Sequence, residues 1–123
     1  MDFRLRSFIA TSFTSVWSLE LLLQLIADPQ RAFTASELVT LLRASDSVVT
    51  RSVEALVTAG LAVAEAEERY RYAPASADLE VMAQATAAMY KSRPDAVRRL
   101  IAERTAGELS AFADAFKLRR DKR

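Results

Sequence analysis

The chain contains no histidine and no cysteine. Without histidine it lacks the commonest general base and metal ligand at neutral pH. Without cysteine there is no disulfide and no thiolate site, and a zinc site would need carboxylates alone. This lack fits a reducing, cytoplasmic setting. Glycine is scarce too, with only Gly60 and Gly107, far apart. Two isolated glycines cannot form a loop that cradles phosphate. The serines and threonines have no evident base partner. The one dense carboxylate group, Glu65, Glu67 and Glu68, falls at an expected exposed turn, where a structural role outweighs a catalytic one. Nothing here points to an enzyme, a metal or a cofactor. Long apolar runs are lacking as well. The longest, Val16 to Ile26, contains Ser18, Glu20 and Gln24 and is too short to span a bilayer. The first residues show no secretory apolar core or cleavage site, so no membrane association is expected.

What is present suits one modest core. At 123 residues, 51% apolar and 27% charged, the chain reads as a single globular domain with a helical appendage. Abundant Ala and Leu with three Pro make helix the expected majority. The net charge of +1 is unevenly placed. Residues 1–14 carry +1, residues 15–75 carry five Arg against eight acids, and residues 76–90 carry only Asp78 and Glu80. Residues 91–123 hold ten basic residues against five acids. Positive charge is therefore concentrated near the C-terminal end.

The stretch from Thr34 to Ala73 organises the rest. Thr34 and Glu37 have capping-box spacing, and Leu38, Leu41 and Leu42 follow as an apolar face. Ala44, Ser45 and Asp46 form a turn in which Ser45 or Asp46 can cap the next helix. On that helix Val49, Val53, Leu56 and Val57 share one face. Ser47, Thr50, Arg51, Glu54 and Thr58 share the other. Gly60 stands where a left-handed residue is wanted. Ala62 to Glu65 and Arg69 to Ala73 can pair as antiparallel strands around Ala66, Glu67 and Glu68. Tyr70 and Tyr72 then share one strand face, and Arg69 and Arg71 the other.

The flanks read as helices. Leu5, Phe8, Ile9 and Phe13 have helical spacing, which predicts an N-terminal arm over residues 1–14. Ser15 can cap a helix that ends near Asp28, before Pro29. That helix is apolar around most of its circumference, so it should be buried on more than one side. Ser76 can cap a helix whose inner stripe is Leu79, Met82, Ala83, Thr86, Met89 and Tyr90. Ser92 and Asp95 have capping-box spacing around Pro94, with Val97, Leu100 and Ile101 as the next apolar face. Gly107 marks a break, Leu109, Phe112, Ala113 and Phe116 form a last stripe, and Lys117 to Arg123 is a basic tail.

Helix, turn, helix and hairpin is the order of a winged helix-turn-helix. The stretch Thr34 to Ala73 resembles the DNA-binding domain of MarR-like bacterial transcriptional regulators. The resemblance extends to about sixty residues when Ser15 to Asp28 is added. It implies a mostly α fold: an arm at 1–14, a winged helix at 15–75 with a small β-hairpin wing, and C-terminal helices with a basic tail at 76–123. It implies a cytoplasmic transcriptional regulator that binds double-stranded DNA as a homodimer. Ser47, Thr50, Arg51 and Glu54 would face the major groove, and Arg69 and Arg71 would touch DNA from the wing. Each has a plainer alternative: Arg51 solvated beside Glu54, and the wing arginines paired with Glu65 or Glu67. Phe8 and Phe13 at one end and Leu109, Phe112 and Phe116 at the other are the expected dimerisation residues. The alternative is that these stripes pack on each other within one chain. Trp17 with Phe8 and Phe13 would line a ligand pocket or simply fill the core. The expected reading helix carries one Arg against Asp46 and Glu54, and the wing tip is acidic. Phosphate neutralisation dominates non-specific affinity, so a single head would bind weakly. A winged helix acting as a protein-interaction module is therefore the competing reading.

Overall fold

The computed structural model describes residues 2–104. Helices dominate, joined by one small antiparallel sheet. In chain order the elements are α1 (Phe3–Ser12), α2 (Val16–Ala27), β1 (Phe33–Thr34), α3 (Ala35–Leu42) and α4 (Asp46–Thr58). Then come β2 (Ala62–Glu65), a single 3₁₀ turn (Ala66–Glu68), β3 (Arg69–Tyr72), α5 (Ala77–Ser92) and α6 over residues 94–104.

Side-chain caps set most helix starts. Ser15 accepts from the Ser18 amide, and Ser18 reaches back to the Ser15 amide. Thr34 and Glu37 form the expected reciprocal box at α3. Ser45 caps α4 and Ser76 caps α5. Each cap satisfies an amide that has no partner inside the helix. Gly60 ends α4 with a φ of 77°. Around it the Gly60 amide donates to the Val57 carbonyl and the Leu61 amide to the Leu56 carbonyl, the paired bonds of a Schellman stop.

One cap differs from the reading of the sequence. Ser92 is the last residue of α5, not the cap of α6, and its hydroxyl donates to the Met89 carbonyl. Asp95 pairs with Arg98 instead. Pro94 opens α6, where its missing N–H costs nothing.

The sheet has the order β1-β3-β2. The hairpin aligns Ala62 with Tyr72 and Glu65 with Arg69. The two-residue strand β1 adds Phe33 opposite Tyr70 and Thr34 opposite Arg69. This third strand was not expected from the sequence.

All segments feed one core. α2 packs on α4, α3 and β3. Its buried Leu19, Leu21, Leu22 and Leu25 share a cluster with Leu38 of α3, with Val49, Val53 and Leu56 of α4, and with Leu61 just before β2. The N-terminal helix joins the same core: Leu5, Phe8, Ile9 and Phe13 are buried, and the Phe8 and Phe13 rings meet edge to face at 5.9 Å. α1 and α2 turn through 103° between them. Val97 and Ile101 of α6 are buried in the same cluster.

Two tyrosines tie α5 to its neighbours. Tyr90 donates to Glu20 on α2 at 2.5 Å, and Tyr72 on β3 donates to Glu80 at 2.5 Å. Burial first, and the adjacent carboxylate second, push both phenols above their ordinary pKa. Both therefore stay protonated donors at neutral pH. Among the described residues no single helix is long and apolar enough to cross a membrane.

Candidate nucleic-acid interface

α4 is amphipathic with a period that fixes its exposed face. Val49, Ser52, Val53 and Leu56 are buried, the i, i+3, i+4, i+7 pattern of one helix side. Ser47, Thr50, Arg51, Glu54 and Thr58 are all exposed. The expected boundary shifts by one step. Ser52 is buried where no role was expected, and Val57, expected inside, is 38% exposed. The small serine lies on the side of α4 that also faces Trp17 of α2. Leu41 of α3, likewise expected inside, is 47% exposed.

The helix before it stops on Arg43, which holds left-handed angles of φ 54° and ψ 42°. That stop leaves only Ala44 and Ser45 before α4 begins. The α3–α4 angle is thus set by a residue whose Cβ opposes the conformation.

The arginines fall into two groups. Arg51 donates through Nε to the Ser47 carbonyl of its own helix at 3.4 Å. Among the described residues it makes no ion pair, and the plainer pairing with Glu54 is not formed. On the hairpin, Arg71 donates to Glu65 at 2.5 Å. Arg69 lies 3.8 Å from Glu67 and donates weakly to the Ala32 carbonyl at 3.5 Å. The hairpin arginines are therefore engaged by the hairpin's own glutamates, the plainer of the two expectations. The tip is also strained: Glu67 and Glu68 hold positive φ of 63° and 54°. Both favour glycine or asparagine.

Two surface grooves flank α4. A groove of about 670 Å³ lies between α4 and the α1–α2 turn, lined by Thr11, Thr14, Arg51, Glu54, Thr58 and Arg104 among others. A smaller one of about 310 Å³ is lined by Thr14, Ser15, Trp17, Val48, Arg51 and Ser52. Trp17 is 42% exposed there, so it neither fills the core nor joins Phe8 and Phe13 around a pocket. Sequence spacing could not bring Thr14 next to Arg51, because only the packing of α2 on α4 does so.

Of the expected dimerisation residues, Phe8 and Phe13 are enclosed by their own chain and present no apolar stripe to a second copy. The tight α1–α2 turn folds that face of α1 onto the core. Leu109, Phe112 and Phe116 lie outside the described residues, as do Gly107 and the basic tail. No cluster of three potential metal ligands occurs among the described residues. No known protein family, curated protein sequence or solved structure matches the chain.

Proposed function

We propose that this chain is a winged-helix, MarR-like transcriptional regulator that binds double-stranded DNA through α4 and acts as a homodimer. One observation carries the reading. α4 follows α3 across a three-residue link, buries one face, and presents Ser47, Thr50, Arg51 and Glu54 together on the other. A helix so exposed, and followed at once by a hairpin, has the form of a major-groove reader. Arg51, which pairs with no carboxylate among the described residues, is the side chain on α4 suited to a guanine edge or a phosphate. The hairpin would be the wing, and the helices within residues 76–104 an extension that follows it.

The homodimer rests on Leu109, Phe112 and Phe116. Burying a Leu or Phe side chain is worth roughly 1.5–3 kcal/mol, which favours covering this stripe. A two-fold would set two α4 helices about one helical turn apart and double the modest positive charge. Light scattering should give about twice the 13.6 kDa chain mass. Phe112→Asp with Phe116→Asp should give a monomer.

A second reading is favoured by the hairpin. Its arginines are paired, its tip carries Glu67 and Glu68 exposed, and α4 adds Glu54. Such a surface suits a protein partner better than phosphate. Anisotropy of labelled random duplexes at two salt concentrations separates the readings. Binding that weakens steeply with salt supports the regulator. No binding near roughly 50 mM salt replaces it with the interaction module.

A further inference from the structure

We propose that the trench along the Arg51 flank of α4 carries one sugar–phosphate strand of the duplex, with the α1–α2 turn as its outer wall. This rests on the DNA-binding reading above. A helix lying in the major groove has a phosphate backbone running past its flanks. The buried face of α4 is closed by α2, so a strand passes between the exposed face and that contact. The two grooves share Thr14 and Arg51 and so lie next to each other along α4; this adjoining pair is the trench.

Its chemistry suits phosphate rather than an apolar ligand. Arg51 supplies positive charge, and Glu54 is the one carboxylate among the described lining residues. The hydroxyls of Thr14 and Thr58 make no hydrogen bond among the described residues, so both can donate to phosphate oxygens. The wall is held in place from the far end of the chain. Arg104 donates to the Phe13 carbonyl at 2.9 Å and to the Thr11 carbonyl at 3.4 Å. Arg104 is thus first a positioning residue, which ties α6 to the turn. At the narrow end stands Trp17, the only tryptophan in the chain. It is a built-in probe of the trench.

Thr14 is exposed, so either charge can be introduced there without disturbing the core. Thr14→Lys should tighten binding to every duplex alike and steepen the slope of log K against log salt by about 0.9, one added phosphate contact. Thr14→Glu should weaken every duplex alike. Val81→Lys adds the same charge on α5, outside both grooves, and should leave the slope unchanged. Trp17 emission should change when wild-type protein is saturated with duplex. Equal slopes for Thr14→Lys and Val81→Lys, or unchanged Trp17 emission at saturation, would overturn the trench while leaving DNA binding in place. A wild type that binds no duplex removes the DNA reading and the trench together.

Discussion

Arg51 on α4 and Arg71 on the hairpin are the same side chain in two electrostatic settings. Among the described residues Arg51 hydrogen-bonds a backbone carbonyl of its own helix and makes no ion pair, and that carbonyl carries no net charge. Arg71 is held by Glu65 at 2.5 Å across the strands. An exposed pair of this kind is worth only about 0.2–1 kcal/mol, so phosphate could take the arginine from its partner. The glutamate would stay behind, however, and repel the same phosphate. With Glu65, Glu67 and Glu68 against Arg69 and Arg71, the hairpin thus stays net negative toward DNA even when its arginines turn outward. The comparison teaches that counting arginines on a hairpin overstates its charge. Under the proposed function, base reading rests on α4 and the hairpin adds little.

Arg51→Ala tests the α4 side of that contrast and should have the largest effect. It should cost about 1–3 kcal/mol at one base position and relax specificity there, read by competition between duplexes differing at single positions. A uniform loss across all sequences would make Arg51 a phosphate contact instead. The hairpin tip comes next. Glu67→Asn with Glu68→Gly relieves two left-handed positions, each costing about 1–2 kcal/mol for an ordinary residue. The double variant should unfold at higher urea and, having lost two acids, should bind every duplex more tightly. An unchanged urea midpoint would show that the tip relaxes at no cost in the wild type.

How far these regions could be read in advance depended on how local their causes are. The cap at Thr34, the stop at Gly60 and both hairpin strands follow from residues within one or two turns of each other. The exposed face of α4 follows from its period alone. Strand β1 was not legible, because two residues carry no alternation and its existence depends on Phe33 meeting Tyr70. The inward turn of Ser52 and outward turn of Val57 depend on how α2 leans on α4. Ser92 carried a true capping pattern, yet its hydroxyl found the Met89 carbonyl of the helix it ends. The trench was the least legible feature, since its two walls come from distant parts of the chain.

The hairpin pairing itself can be opened with a smaller perturbation. Glu65→Gln keeps the side-chain shape but removes the charge that holds Arg71. Folding stability should change by under about 1 kcal/mol, measured by urea unfolding. Duplex affinity should rise slightly and equally for all sequences. A sequence-dependent change would mean that the hairpin reads bases and would erase the contrast with α4.

Arg31 and Glu37 sharpen the same comparison from a third place. This pair also joins an arginine to an exposed carboxylate, but here the carboxylate has other partners. The Glu37 pKa lies below the ordinary glutamate value, first because the Thr34 amide donates to the carboxylate, then through the Thr34 side chain and Arg31. A depressed carboxyl pKa stabilises the fold fully above the unfolded-state value. That contribution fades as pH falls through the lower folded value. Wild type should therefore exceed Glu37→Gln in urea midpoint at neutral pH, because glutamine keeps the reach of the capping box but not its charge. The two midpoints should converge as the pH drops below the normal glutamate range. Arg31→Ala should remove only the smaller part of this pH dependence, since the backbone bond to Thr34 is the leading cause. A Glu37→Gln difference that stays constant from neutral to acid pH would show that shape, not charge, accounts for the cap. A full loss on Arg31→Ala would give the ion pair the leading role, in contrast to the pairs on the hairpin.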